Sequence, residues 1–282
     1  MESHDLRIFR AVAYSGSVTK AAQQLGYVQS NITARIQQLE EELKTPLFYR
    51  HRGMLLTRKG ELLLQYAEKI LHLLDEANKS LVNSDETGGE LAIGANQTFS
   101  TIDLPEILGK FHKSFPNVAL SLITGQTDEL VEKVLHFQLD TAFITIPVQH
   151  ENLVKELISE ESLVLIANSA ITTLEEIYTQ SFLMNPPNCP CRIQLEKWLR
   201  DSGVNNARFM EFNNIDAIIN GVIAGLGVAF VPQSTIRKHE MAGTLKSFAV
   251  PLEYSLSQTF LIRHKEVLMT NAFREFIAMV KM

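Results

Sequence analysis

Apolar residues recur with a helical period from the start of the chain: Leu6, Phe9, Val12 and Ala13 share one side of a short amphipathic helix. Gly16-Ser17 breaks it, and Ser17 is placed to cap a second helix, Val18 to Leu25, whose Ala21-Ala22 pair lets neighbours approach closely. Gly26, free to take positive φ, ends that helix. A third pattern runs from about Gln29 to Leu43, with Ile32, Ile36, Leu39 and Leu43 on one side. Leu47 to Thr57 reads as a short strand, a tight turn at Gly53 and a return strand. Thr57 can then cap a helix running to about Val82, with Leu62, Leu63, Tyr66, Ala67, Ile70, Leu71, Leu74, Ala77 and Leu81 apolar, before Ser84-Asp85-Glu86-Thr87-Gly88-Gly89 breaks it.

Beyond Gly89, strand and helix patterns alternate. Leu91–Ala95, Val118–Ile123, Thr141–Ile146 and Leu163–Ala167 read as strands, Leu104–Phe115 and Asp128–His136 as helices. Such alternation predicts α/β units on parallel sheets. A chain of 282 residues exceeds the usual domain size, so two or three compact units are expected. No apolar run reaches the roughly 18 residues that a membrane span needs, and the polar, acidic start Met1-Glu2-Ser3-His4-Asp5 leads into no signal-like core. Two cysteines do not make a disulfide framework. A cytoplasmic protein without membrane contact is the expectation.

Charge sharpens the division. The net charge is −6, yet residues 1–60 hold nine Lys/Arg against five acids, a balance of +4 that leaves −10 for the remainder. A basic head on an acidic body fits a protein in which one domain meets phosphates.

The head's first helices, joined through Gly26-Tyr27-Val28, outline a helix-turn-helix. Gln29, Ser30, Asn31, Thr33 and Arg35 lie outward on the third helix, as hydrogen-bonding groups of the kind that read base edges in a major groove. Arg50 and Arg52 flank the turn of the following hairpin, a wing able to reach a phosphate or minor groove. The plain alternatives are a three-helix bundle with a solvated polar face and a hairpin tip with solvated cations. The long helix, about 25 residues and roughly 38 Å, carries more apolar surface than a small head covers; a second copy or the body of the protein must take the rest.

In open α/β sheets, ligands sit beyond the carboxyl ends of strands, against helix N-termini. That rule selects Gln97, Thr98, Ser100 and Thr101 after the first strand, Thr124 and Gly125 after the second, and Asn188, Cys189 and Arg192 around the start of the helix holding Leu195 and Trp198. As a set they fit an anionic or polar small molecule; singly, each also fits a cap or turn. Gly225-Leu226-Gly227 lacks the third glycine and the lysine of nucleotide loops and fits tight helix–strand packing. There is no Gly-x-Ser-x-Gly and no His-Glu-x-x-His, so no enzyme activity, cofactor or metal is expected. Glu160-Glu161 and Glu175-Glu176 read as solvated charge with no pocket implied. Cys189-Pro190-Cys191 allows a soft-metal or redox sensor, or simply a pocket-lining thiol beside a packed one.

With these residues in place, the chain resembles the LysR-type transcriptional regulators. The likeness rests on Leu6 and Phe9, Ser17-Val18-Thr19-Lys20-Ala21-Ala22 with Leu25, Gln29-Ser30-Asn31-Ile32-Thr33, Ile36-Gln37-Gln38-Leu39-Glu40, Leu47-Phe48, Arg50, and Leu56-Thr57 with Gly60. The family commonly has proline and a small residue where Ser30-Asn31 stand, and Arg in place of Ala34. Farther on, Asn214-Ile215 and Val222 to Pro232 are similar to its second-lobe signature. The resemblance implies an α+β and α/β architecture in three parts. These are a winged helix-turn-helix over 1–58, a linker and dimerisation helix over 59–87, and a two-lobed effector domain over 88–282 that resembles periplasmic binding proteins. Lobe I would span about 90–161 and 266–282, and lobe II about 162–265. It also implies a regulator of operator DNA under a small-molecule effector, acting as a homodimer or homotetramer and able to engage RNA polymerase. Ser17, Thr19, Gln29, Ser30, Asn31, Thr33, Arg35, Arg50 and Arg52 are then the DNA-contact candidates. Competing readings are a thiol- or metal-responsive regulator using Cys189 and Cys191, and a cytosolic small-molecule receptor whose head serves protein contacts.

Overall fold

The computed structural model describes residues 1–49, 53–82, 89–187 and 189–281, so Arg50, Arg52 and Asn188 lie outside the described residues. It divides into two compact units, residues 1–89 with 136–138, and residues 90–135 with 139–282.

The first unit comprises α1 (Ser3–Ser15), α2 (Val18–Leu25), α3 (Gln29–Glu42), a two-residue hairpin of β1 (Phe48–Tyr49) and β2 (Leu55–Leu56), and α4 (Arg58–Val82). Gly16 and Gly26 close α1 and α2 at φ of 61° and 72°, as the breaks in the apolar pattern predict. The periodic residues Leu6, Phe9, Val12, Ile32, Ile36 and Leu39 are buried together with Leu47 and Phe48. Burial of each large apolar side chain contributes about 1.5–3 kcal/mol, and the Phe9 and Phe48 rings meet at 5.3 Å. β1 and β2 pair antiparallel with Phe48 opposite Leu56.

Thr57 caps α4: its Oγ1 accepts the Gly60 N–H at 3.0 Å and donates to the Pro46 carbonyl at 2.8 Å. Here glycine is required by close approach, because a Cβ at Gly60 would lie 2.2 Å from the Leu47 carbonyl oxygen. α4 turns Ala67 and Leu71 into the head's own core, while Arg7 pairs with Asp75 at 2.6 Å and Tyr14 donates to the buried Glu68. The head therefore covers part of the apolar stripe itself. Leu62, Tyr66, Leu73 and Leu74 remain 46, 58, 60 and 39% exposed.

In the second unit, β3 (Gly89–Ala95), α5 (Gln97–Ile102), α6 (Leu104–Ser114), β4 (Val118–Thr124), α7 (Thr127–Leu135) and β5 (Thr141–Ile144) form most of a first lobe. The sixteen-residue β6 (Leu153–Asn168) carries the chain across to a second lobe. That lobe is made of α8 (Leu174–Tyr178), β7 (Ser181–Met184), α9 (Pro190–Asp201), β8 (Arg208–Glu211), α10 (Ile215–Ile223), β9 (Val228–Pro232), α11 (Arg237–Met241) and β10 (Leu245–Ala249). After α12 (Leu252–Ser255), β11 (Leu256–His264) and α13 (Asn271–Val280) complete the first lobe. The strands follow the order β4-β3-β5-β11-β6-β9-β7-β8, with β10 on β6. β3 runs parallel to β5, and β7 parallel to β8 and β9, as the alternation predicts. β11 runs antiparallel to β5 and to the first half of β6.

β11 belongs to the first lobe's sheet, because Phe260, Leu261 and Ile262 pair with Ile144, Phe143 and Ala142. Each lobe has its own cores: Phe99, Phe111, Phe143, Phe273 and Phe276 are buried in the first, Phe182, Leu195, Trp198 and Phe230 in the second. Gly227, in the loop entering β9, is required by close approach to β7 rather than by helix–strand packing, since a Cβ there would stand 2.1 Å from the Ser181 carbonyl oxygen.

Candidate nucleic-acid interface and effector cleft

On the head, Ile32, Ile36 and Leu39 turn one side of α3 inward and leave Gln29, Ser30 and Asn31 exposed in its first turn. The N-cap is Val28, which offers no side-chain acceptor to that turn. First-turn N–H groups without a side-chain cap are the feature that receives phosphate oxygens. Thr19 at the exposed side of α2 donates to Gln29 Oε1 at 3.2 Å, which joins the two helices across the turn. Thr33 donates back to the Gln29 carbonyl at 3.0 Å. Arg35, half-buried, is drawn toward Asp5 at 3.5 Å. Ser17 is used as the cap of α2, accepting the Lys20 N–H at 3.4 Å, so its hydroxyl serves the helix first. The wing cations Arg50 and Arg52 are among the residues not described.

In the second unit, a cavity of about 720 Å³ opens between the two lobes. Of the residues selected by the strand-end rule, Gln97, Thr98, Thr124, Gly125 and Cys189 line it together. Ser100, Thr101 and Arg192 are not in its wall. Residues 97–102 form a helix where the sequence pattern shows a loop, capped by Asn96 Oδ1 on the Phe99 N–H at 2.9 Å. Ser100 and Thr101 consequently turn back to the Gln97 carbonyl, each at 2.8 Å. Arg192 is 8% exposed and committed elsewhere: Nε donates to Glu196 at 2.8 Å, and Nη1 to Glu211 at 3.0 Å and the Asn185 carbonyl at 3.2 Å. Its guanidinium also lies over the Phe209 ring at 4.6 Å. Asn188 falls outside the described residues.

Asp103, Thr145, Glu161, Asn185 and Thr259 also line the cavity. Thr145 and Asn185 directly follow β5 and β7, so the strand-end rule applied to every strand would have found them. Glu161 overturns the reading of Glu160-Glu161 as solvated charge. It is half-buried in the cavity wall and accepts the Ser234 N–H at 3.3 Å. Burial, followed by the nearby Glu161 charge, raises the Asp103 carboxyl above its ordinary range.

Both cysteines are free thiols in the same wall. Cys189 is the N-cap of α9. Hydrogen bonding from the Cys191 thiol, with help from the backbone N–H groups of Cys191 and Arg192, lowers its pKa to about 6 against the opposing effect of burial. Asn185 Nδ2 approaches its sulfur at 3.7 Å. Cys191 is correspondingly raised by donating to Cys189 and by burial. Among the described residues, no three His, Cys, Asp or Glu side chains gather as a metal site requires, and no helix is long and apolar enough to cross a membrane.

Residues 3–61 match the family of bacterial regulatory helix-turn-helix proteins of the lysR type, and residues 84–282 match the LysR substrate binding domain. The chain is 46% identical over 278 residues to the HTH-type transcriptional regulator YusT of Bacillus subtilis, covering 98% of this chain and 94% of that one. A full-length OxyR variant of Pseudomonas aeruginosa shares the fold with a TM-score of 0.76 at 19% identity, over 100% of this chain and 93% of the other. Full-length CbnR, solved with its target DNA, does so with a TM-score of 0.65 at 23% identity, over 100% and 99%. The solute-receptor reading, with a head made for protein contacts, is thereby disfavoured. The chain belongs to the LysR family of DNA-binding transcriptional regulators, with a helix-turn-helix head and an effector-binding domain.

Proposed function

We propose that α3 enters the major groove of an operator with Gln29, Ser30, Asn31, Thr33 and Arg35 toward the groove, while Ser17 and Thr19 place the start of α2 beside the DNA and Arg50 and Arg52 steady the wing. A small molecule in the cleft lined by Gln97, Thr98, Thr124, Gly125 and Cys189 then biases the relative arrangement of the lobes and changes operator binding. The observation that carries this reading is the first turn of α3, exposed, polar and without a side-chain cap. CbnR, solved with its target DNA, supports it by likeness of fold.

A second copy covers Leu62, Tyr66, Leu73 and Leu74 of α4. Two heads then read two half-sites, so the operator is roughly palindromic. The assembly is a homodimer or a homotetramer working in the cytoplasm, where it meets RNA polymerase at the promoter. Footprinting of genomic fragments against a salt series tests the proposal. Specific protection should weaken steeply as salt rises, as phosphate contacts demand, and Gln29→Ala should lose about 1–3 kcal/mol of discrimination. Protection indifferent to sequence would refute it.

A further inference from the structure

The chemistry of the cleft wall restricts what the cleft can hold. Asp103, Asp128, Glu129 and Glu161 all line it, and among the described residues no Lys, Arg or His does. Helix N-termini attract anions when bare, and two of those around the cavity are already answered. Asn96 caps α5, and Asp128 and Glu129 occupy the first turn of α7; at the third, Cys189 holds the N-cap position of α9 without a side-chain cap bond, and the Cys191 and Arg192 N–H groups act on its sulfur. The nearest buried cation, Arg192, is held by Glu196 and Glu211 outside the wall. Arg237 acts on Asp103 only through space and is not in the wall.

Asp103 and Glu161 line the same cavity, and after burial the Glu161 charge is the next cause holding the Asp103 carboxyl above its ordinary range. A carboxylate ligand would add a like charge to this surface, whereas a positive group between the two would relieve it. Ile146, Met184 and Ile215 supply apolar wall for a carbon skeleton. A bare metal ion does not suit the wall, for no three ligating side chains gather among the described residues, and about 720 Å³ is the size of an organic-ligand site.

Resting on the reading of this cavity as the effector site, we infer that its ligand is an organic ammonium compound, with the cationic nitrogen seated between Asp103 and Glu161. Of the anionic or polar small molecules that the strand-end residues fit, this selects against the anionic ones.

The test uses the full chain and probes paired by carbon skeleton: 1,5-diaminopentane against glutarate, benzylamine against benzoate, and cyclohexylamine against cyclohexanecarboxylate. Thermal shift and calorimetry should show the amines binding in preference to the acids. Glu161→Gln and Asp103→Asn should each weaken amine binding about tenfold or more, as loss of one charged hydrogen-bond partner does. Glu175→Gln, outside the cavity, should leave it unchanged. Each variant is first shown to retain operator binding. Preference for the acids, amine binding that survives both substitutions, or binding of neither set overturns the inference. Footprints separate the two levels. An acid that binds and alters protection removes the ammonium assignment and leaves the effector site standing. Amines that bind through Asp103 and Glu161 while protection stays constant uphold the assignment and remove control of the operator.

Discussion

Two glycines in helices of this chain should respond oppositely to the same added methyl group. At Gly109, in the exposed middle of α6, a Cβ meets nothing within 4 Å. Gly109→Ala should therefore gain the ordinary helix preference of alanine, about 0.5–1 kcal/mol. At Gly60 the new carbon would lie 2.2 Å from the Leu47 carbonyl oxygen and 2.9 Å from Leu56 Cδ2. The Leu47 carbonyl is backbone and already accepts the Thr57 N–H at 2.9 Å, so it must retreat by more than an ångström and strain the joint between hairpin and α4. Overpacking of this kind costs about 1–3 kcal/mol, and weakening the Thr57 bond adds about 1 kcal/mol. Subtracting the helix preference leaves a net loss of about 2 kcal/mol. For a unit of this size that is a fall of roughly 10 °C in Tm. Amide exchange of α1–α3 in the full chain, followed through a urea series, isolates the head. Earlier opening is expected with Gly60→Ala and none with Gly109→Ala. A neutral or stabilising Gly60→Ala would refute the close-approach argument.

Arg192→Met should destabilise the second lobe by about 2–3 kcal/mol in urea unfolding, since one buried cation serves three acceptors and covers Phe209. Arg192→Lys should recover only part of this loss, because an ammonium cannot reproduce the fork. Iodoacetamide labelling of Cys189 should reach half its maximal rate near pH 6, where the thiolate forms. Cys191→Ala, which removes the donating thiol, should move that midpoint upward; an unmoved profile would contradict the pairing of the two sulfurs. Tyr66→Asp combined with Leu73→Asp should convert the assembly to monomers in sedimentation experiments while leaving the head folded. Retention of the dimer would assign the exposed face of α4 to another role.

Much of the head was legible because each signal is local. Ser17 and Gly26 bound α2 at the residues the sequence predicts, and α3 begins at Gln29. The body was legible only in part. α5 escaped because six residues rich in Ser and Thr show neither period nor propensity, and that miss left Ser100 and Thr101 in the wrong environment. The first half of β6 escaped because Lys155, Glu156, Glu160 and Glu161 interrupt any apolar run; it is a strand through its ladder with β11 rather than through its own composition. Glu161 was misread for the same reason. A charged pair in sequence does not reveal that one member faces solvent while the other, one residue on and therefore on the opposite side of a strand, faces a cavity.

Sixteen residues of β6 run unbroken through both sheets, paired with β11 in one and with β9 and β10 in the other. A stretch or twist imposed where Leu163 begins its ladder with Pro232 is thus passed along a single backbone to Ser162 and Glu161. Bending at that crossing changes the angle of the Glu161 carboxylate at the same time. The girder that joins the two halves is therefore also the strut that aims a cavity-wall charge, and whatever grips that charge pulls on both ladders at once.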